Sequence, residues 1–308
     1  MNAFQRSWSL LKSSLSVIGR NKQLLVFPII IFICTSFIIL FFLAPPILRP
    51  TGYSYTSADH WKAIGNSLFR ETGNANAQGG AQLTLTPGAA AYVVFLYFLS
   101  MFIATFCNVA FYHEILAALS GEAVSIGRGL RFAFSKTGAI LMWTLFAGLV
   151  GLIIKTIEER MGLVGRIIAK IIGVAWSVAS VFAIPVIICQ EGNSNPVKVL
   201  RGSADILKRT WGEALIGYAG LGIANVIIFF GSLLGLLAMI ALSIALSQLW
   251  FIVVAVAGWL ITLFVWSYVS GVASQVYKGA LYAYASQGTI PAPYNQEMLD
   301  AAWKRKKL

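Results

Sequence analysis

The chain has 308 residues, 58% of them hydrophobic and only 11% charged, with a mean hydropathy of +0.78. That balance excludes a water-soluble globular domain and places the chain among polytopic membrane proteins. The net charge of +12 is assigned to topology and anionic headgroups and not to nucleic acid, because no soluble basic domain exists to hold a duplex.

The first 23 residues carry Arg6, Lys12, Arg20 and Lys22, while Phe4, Trp8, Leu11, Leu15 and Ile18 recur at spacings of three and four. This pattern predicts an amphipathic helix lying in the headgroup plane, ended by Gly19 and Asn21. Residues 24–43 follow as a first span, too long for the core of a cleavable signal and therefore retained. Pro28 near its start is a kink candidate. Residues 44–86 begin with Pro45-Pro46 and are rich in Gly, Asn, Ser and Thr, which predicts a wet periplasmic loop. Within it Asp59 is expected to cap a short helix with an apolar stripe of Trp61, Ile64 and Leu68, stopped by Gly73.

A second span covers 89–112, and His113-Glu114 follow it. These open like a zinc-protease motif, but the second histidine falls on Ala117, so they read as an interfacial polar pair. A basic segment with Arg128, Arg131 and Lys136 leads into a third span, 137–154. An amphipathic outer connection, 155–170, precedes the fourth span, 171–190, in which Pro185 is a second kink candidate. The most charge-dense inner loop then holds Lys198, Arg201, Asp205, Lys208, Arg209 and Glu213. From Ala214 to Tyr277 there are 64 residues without Asp, Glu, Lys or Arg, room for two helices across ~30 Å of hydrocarbon, about 214–242 and 249–277. Gly231-Ser-Leu-Leu-Gly235 is a GxxxG in the fifth span, read as a close-packing device. Residues 288–308 form a cytoplasmic tail ending in Lys304-Arg305-Lys306-Lys307.

With the N-terminus inside, cytoplasmic segments hold 16 of the 23 Lys and Arg residues, as the positive-inside rule requires. The expectation is a single all-α membrane domain, 1–308, in the inner membrane with both termini cytoplasmic. Arg128-Gly129 and Lys136-Thr137 recur as Arg201-Gly202 and Arg209-Thr210 at a constant offset of 73, with a looser copy at Arg6–Lys12. Three units of interfacial helix plus two-span hairpin are therefore predicted; the competing explanation is helical amphipathicity combined with positive-inside bias.

Cys34, Cys107 and Cys189 fall within the spans and read as small core residues. With His60 and His113 on opposite sides, no histidine cluster forms, and GxSxG, P-loop and GxGxxG motifs are absent. No catalytic residue, metal or cofactor is expected.

Arg6-Ser7-Trp8-Ser9-Leu10-Leu11-Lys12, Leu24-Leu25-Val26-Phe27-Pro28, Gly173-Val-Ala-Trp176-Ser177 and Thr210-Trp211-Gly212-Glu213-Ala214 resemble an uncharacterised family of bacterial and archaeal multi-span membrane proteins. The resemblance implies the six-span layout and supplies no reaction, ligand or site residue. The functional expectation is a non-enzymatic membrane scaffold whose Arg128, Arg131, Lys136, Lys198, Arg201, Lys208 and Arg209 bind anionic headgroups, with membrane lipids, and a protein or a second copy, as candidate partners. The alternative is a channel or carrier for a neutral or anionic solute, with a cavity between spans 1, 4 and 5 and Asn108, Asn225 or Gln275 lining it.

Overall fold

The structure, a computed structural model, describes residues 3–72, 82–189, 195–209 and 214–295. In chain order it contains α1 (Ala3–Arg20), a 3-10 turn (Lys22–Leu25), α2 (Val26–Ile47), α3 (Ala58–Leu68), β1 (Phe69–Thr72), β2 (Gln82–Leu85), α4 (Pro87–Leu119) and α5 (Ile126–Ser135). These are followed by α6 (Thr137–Arg160), α7 (Gly162–Ala179), α8 (Ala183–Cys189), α9 (Pro196–Arg209), α10 (Ala214–Ala245) and α11 (Trp250–Gln287). Six stretches are long and apolar enough to cross a membrane: Lys22–Ile47, Pro87–Leu119, Thr137–Arg160, Val164–Cys189, Asn225–Ala245 and Trp250–Gln287. The chain is an all-α multi-pass membrane protein. Three times, a short amphipathic helix (α1, α5, α9) is followed by two of these spans.

The outer surface is apolar: Phe32 is 71%, Leu40 68% and Phe264 74% exposed. Water would penalise such side chains heavily, whereas hydrocarbon is a matched solvent for them. The core lies at one end of the bundle. α4 buries residues only from Thr105 onward, and α11, apart from Ala255, only from Ser270 onward. There Val109, Phe111 and Ile115 of α4 meet Val272, Val276, Tyr277 and Ala280 of α11, with Phe182, Val186 and Ile187 beside them. Phe27 stacks on Phe111 at 5.4 Å.

Small residues permit the closest approaches. A Cβ at Gly279 would lie 2.7 Å from Ile115 Cγ2, and one at Gly148 would lie 2.4 Å from the Phe98 ring. The GxxxG of the fifth span is used differently from expectation. Gly231 and Gly235 are exposed, with nothing within 4 Å of a Cβ at either, so the pair closes no contact among the described residues.

Several local expectations change. α2 continues through Pro45 and Pro46 to Ile47. The missing Pro46 N–H orphans the Phe42 carbonyl four residues back, and the Tyr92 hydroxyl donates to that oxygen instead. The connection expected at 155–170 is a tight junction: α6 runs to Arg160 and α7 starts at Gly162, whose φ of +59° suits glycine. The fourth span is broken rather than kinked, since α7 stops at Ala179 and α8 starts at Ala183. Pro185 sits in the first turn of α8, where its absent N–H costs nothing. The segment read as mostly irregular holds α3 and an antiparallel hairpin, β1–β2. Ser57 caps α3 by accepting from His60 N–H, and Asp59 lies inside the first turn. Of the expected α3 stripe, Ile64 is buried together with His60, while Trp61 is exposed.

Gly279→Ala forces a methyl against a fully buried Ile115. Overpacking of about 1–3 kcal/mol outweighs the ~1 kcal/mol helix-propensity gain. Thermal unfolding of the protein in nanodiscs is therefore expected to show a lower Tm for Gly279→Ala and an unchanged or higher Tm for Gly235→Ala.

Candidate functional site

Each of the three amphipathic helices turns its apolar side into the protein. On α1, Leu10, Leu11, Ser14, Val17 and Ile18 are buried while Lys12 and Arg20 are exposed. The Ser14 hydroxyl donates to the Leu10 carbonyl at 3.0 Å and accepts from the Tyr294 hydroxyl at 2.7 Å. That bond fastens the N-terminal helix to the segment after α11, and burial pushes the Tyr294 hydroxyl pKa up. On α9, Val199, Ser203 and Leu207 repeat every four residues and are buried, with Lys198, Arg201 and Lys208 exposed on the other side. Ser203 Oγ accepts the Phe182 N–H at 3.0 Å, satisfying a backbone donor at the α7/α8 break. Of the α1 stripe that the sequence assigns to the headgroup plane, Leu11 and Ile18 are thus covered by protein and Leu15 is half-buried, while Trp8 is 48% exposed and the side chain of Phe4 lies outside the described residues.

The tightest anchor belongs to α5. Ser125 caps it, accepting from Arg128 N–H at 3.4 Å, and Gly129 and Ala133 face α4. A Cβ at Gly129 would lie 2.8 Å from the Ala110 carbonyl oxygen and 2.9 Å from Glu114 Cγ, so only glycine fits. Arg128 grips the wholly buried Glu114 with two parallel bonds, Nε to Oε1 at 2.9 Å and Nη2 to Oε2 at 2.8 Å. Ser125 N–H adds 2.7 Å to Oε2 and His113 Nδ1–H adds 3.0 Å to Oε1. A carboxylate removed from water costs several kcal/mol unless its lone pairs are filled this completely. Arg128 further donates to Glu122 at 3.0 Å and to the Ala123 carbonyl at 3.0 Å. Hydrogen bonding to Glu114 holds its guanidinium pKa above the usual arginine value. The His113 ring stacks on Phe132 at 4.0 Å, and Lys136 Nζ lies 5.7 Å from the same Phe132 ring.

His113-Glu114 is therefore more than an interfacial polar pair. Glu114 is the first charged residue after Glu71, set among apolar neighbours. The signal available in the sequence was that isolation together with Arg128 across a turn containing Gly121. Of the predicted headgroup-binding residues, Arg131, Lys198, Arg201 and Lys208 are exposed, Lys136 is half-buried, and Arg128 is partly committed to Glu114. The side chain of Arg209, the segments 190–194 and 210–213 and the basic tail lie outside the described residues.

The three predicted cavity amides are not brought together. Asn108 donates to the Ala104 carbonyl of its own helix at 2.9 Å. Gln275 accepts from the Tyr112 hydroxyl, and Asn225 accepts from Trp266 Nε1 at 3.1 Å. None lines the larger cavity, about 1060 Å³, which opens between the ends of α1, α4, α8 and α11. Its charged lining is Arg20, Arg128 and Glu122, with His113, Asn21 and Gln287 beside them; with Glu114 directly behind, these charges cancel. A second cavity of about 650 Å³ at the α6/α7 junction is lined by Lys155, Glu158, Glu159 and Arg166. Cys107 is buried, Cys189 is exposed at the larger cavity, and all three cysteines are free.

A family model described as a family of unknown function, DUF6159, matches residues 88–291, which hold five of the six spans. The match includes the Gly173–Ser177 and Thr210–Ala214 motifs and leaves Arg6–Lys12 and Leu24–Pro28 outside. No curated protein and no solved structure matches the chain.

Arg128→Ala leaves Glu114 buried and uncompensated. The expected loss is about 3 kcal/mol, the low end for a severed buried pair, because Arg128 is 38% exposed and water can partly replace it. In nanodisc unfolding, the double variant Glu114→Leu/Arg128→Leu recovers most of that stability; equal losses for the single and double variants would contradict the clamp.

Proposed function

We propose that this chain, which belongs to the DUF6159 family of unknown function, is a non-enzymatic scaffold of the bacterial or archaeal inner membrane that gathers anionic lipid around its cytoplasmic end. The supporting observation is the fixed orientation of α5 and α9: their apolar sides are buried in the bundle, so Arg131, Lys198, Arg201 and Lys208 are directed outward. Held on rigid helices, cations lose little entropy when they meet a phosphate. Near an anionic surface each is worth ~1 kcal/mol, within a Debye length of ~8 Å at physiological salt. The concentration of Lys and Arg on the same side supports cytoplasmic termini.

Protein partners or a second copy are compatible with this reading, which needs lipid only at the rim. A solute path through Asn108, Asn225 and Gln275 draws less support. Each amide is engaged within its helix or with a neighbouring one, in the manner of packing groups worth ~0.6 kcal/mol.

The test is lipid selectivity. Purified protein equilibrated with mixed phosphatidylglycerol and phosphatidylcholine at low salt is expected to retain phosphatidylglycerol preferentially, as read by lipid mass spectrometry. Replacing Arg131, Arg201 and Lys208 with Gln should reduce that preference by about fivefold per cation, the equivalent of ~1 kcal/mol each. An unchanged lipid ratio in the triple variant would refute the scaffold reading.

A further inference from the structure

The segment between α2 and α4 presents an apolar face at a height that the helices determine. α2 has 22 residues and no charge, so it is about 33 Å long, close to the ~30 Å of hydrocarbon. Ile47 at its end therefore stands at the far hydrocarbon edge. Tyr92 bonds the Phe42 carbonyl; Phe42 lies five residues before Ile47 and Tyr92 five residues after Pro87, so the start of α4 is level with the end of α2. Only Thr86 separates β2 from α4. Thr86 also donates to the end of α3, N–H to the Leu68 carbonyl at 2.8 Å and hydroxyl to the Ser67 carbonyl at 3.3 Å. Both strands of the hairpin are thereby held at the membrane boundary.

The register pairs Phe69 with Leu85, Arg70 with Thr84, and Glu71 with Leu83. Strand alternation then puts positions 69, 71, 83 and 85 (Phe69, Glu71, Leu83 and Leu85) on one face and Arg70 and Thr84 on the other. Phe69 is 42%, Leu83 69% and Leu85 41% exposed, so three of the four positions of this face are apolar side chains that no part of the described chain covers, and the fourth, Glu71, is next to the last residue of β1. We propose that the β1–β2 hairpin lies on the leaflet opposite α1, α5 and α9, with Phe69, Leu83 and Leu85 inserted at the boundary between headgroups and acyl chains. Lipid is the occupant because this face is continuous with the lipid-facing ends of the spans, where Ile47 and Leu48 are also exposed. Tyr53, Tyr55 and Trp61, aromatic residues of the kind that populate this layer, are exposed on the same cap. Trp61 Nε1 already donates to the Tyr55 carbonyl at 3.0 Å and the Tyr55 hydroxyl to the Leu48 carbonyl at 3.2 Å. Neither ring would take an unmet donor into the boundary. The surface is distinct from the basic rim and does not depend on the scaffold reading.

The test uses the full-length protein in phosphatidylcholine–phosphatidylglycerol nanodiscs, with Cys34, Cys107 and Cys189 replaced by Ala and a single environment-sensitive fluorophore on Leu83→Cys or Thr84→Cys. The label at 83 is expected to emit to the blue of that at 84 and to be quenched by lipids carrying a nitroxide near the headgroup. The label at 84 is expected to respond mainly to aqueous iodide. Phe69→Cys provides a second reporter on the apolar face if the first variant folds poorly. Equal iodide quenching at 83 and 84 overturns the proposal. So does protection of 83 from both quenchers, which would mean that protein covers the face.

Discussion

Glu114 is a carboxylate wholly withdrawn from solvent, and the basic end of the molecule is organised around keeping it neutralised. Two bonds from Arg128, one from Ser125 N–H and one from His113 occupy its oxygens. Meeting that demand requires α5 to lie against α4, and the absence of a side chain at Gly129 lets it approach closely enough. The same arrangement stacks His113 on Phe132 and directs Arg131 outward. A buried ion pair is weak evidence for extra stability, but breaking it is costly. Its clearest consequence here is geometric: one orientation of α5 satisfies the charge, so its remaining cation faces the rim.

Backbone groups in a membrane must find partners inside the protein, and this chain uses hydroxyls for that purpose at three irregular points of its helices. Tyr92 serves the carbonyl orphaned by Pro46, and Ser203 accepts the N–H freed at the α7/α8 break. Tyr268 donates to the Leu25 carbonyl where the 3-10 turn passes into α2. Packing follows the same economy. Side chains interlock at the end where α1, α5, α9 and the last turns of α11 meet, while the far halves of α2 and α4 hold no buried residue. The bundle is tied at one end, the end that carries most of the cations.

Amphipathic periodicity identifies an apolar stripe but not what covers it. The stripes of α1 and α9 read as lipid-facing because a basic helix beside a span commonly lies in the headgroup plane. Lipid tails and a protein core are both apolar, so a 3.6-residue period cannot distinguish them. Ser13 and Ser14 on α1 and Ser203 on α9 are buried, and a small hydroxyl bonding to a specific partner suits a protein interface better than acyl chains. The GxxxG of α10 errs in the opposite direction: small residues allow close approach without requiring it, and Gly231 and Gly235 face outward.

The sequence alone determined the solvent of this protein, the number of crossings, and the order of short amphipathic helix followed by two spans, because hydropathy and charge are local properties summed over a window about as long as the membrane is thick. It also placed Arg131, Lys198, Arg201 and Lys208 on polar helix faces, a matter of spacing. It did not reveal the Glu114 clamp, the Ser14–Tyr294 tie, the separation of Asn108, Asn225 and Gln275, or the hairpin that replaces an expected loop. The clamp and the tie depend on pairings between residues 14 and 280 positions apart, which no periodicity encodes. They were decided by tertiary structure, where each buried polar group must find a partner and each close approach must find a residue small enough to allow it.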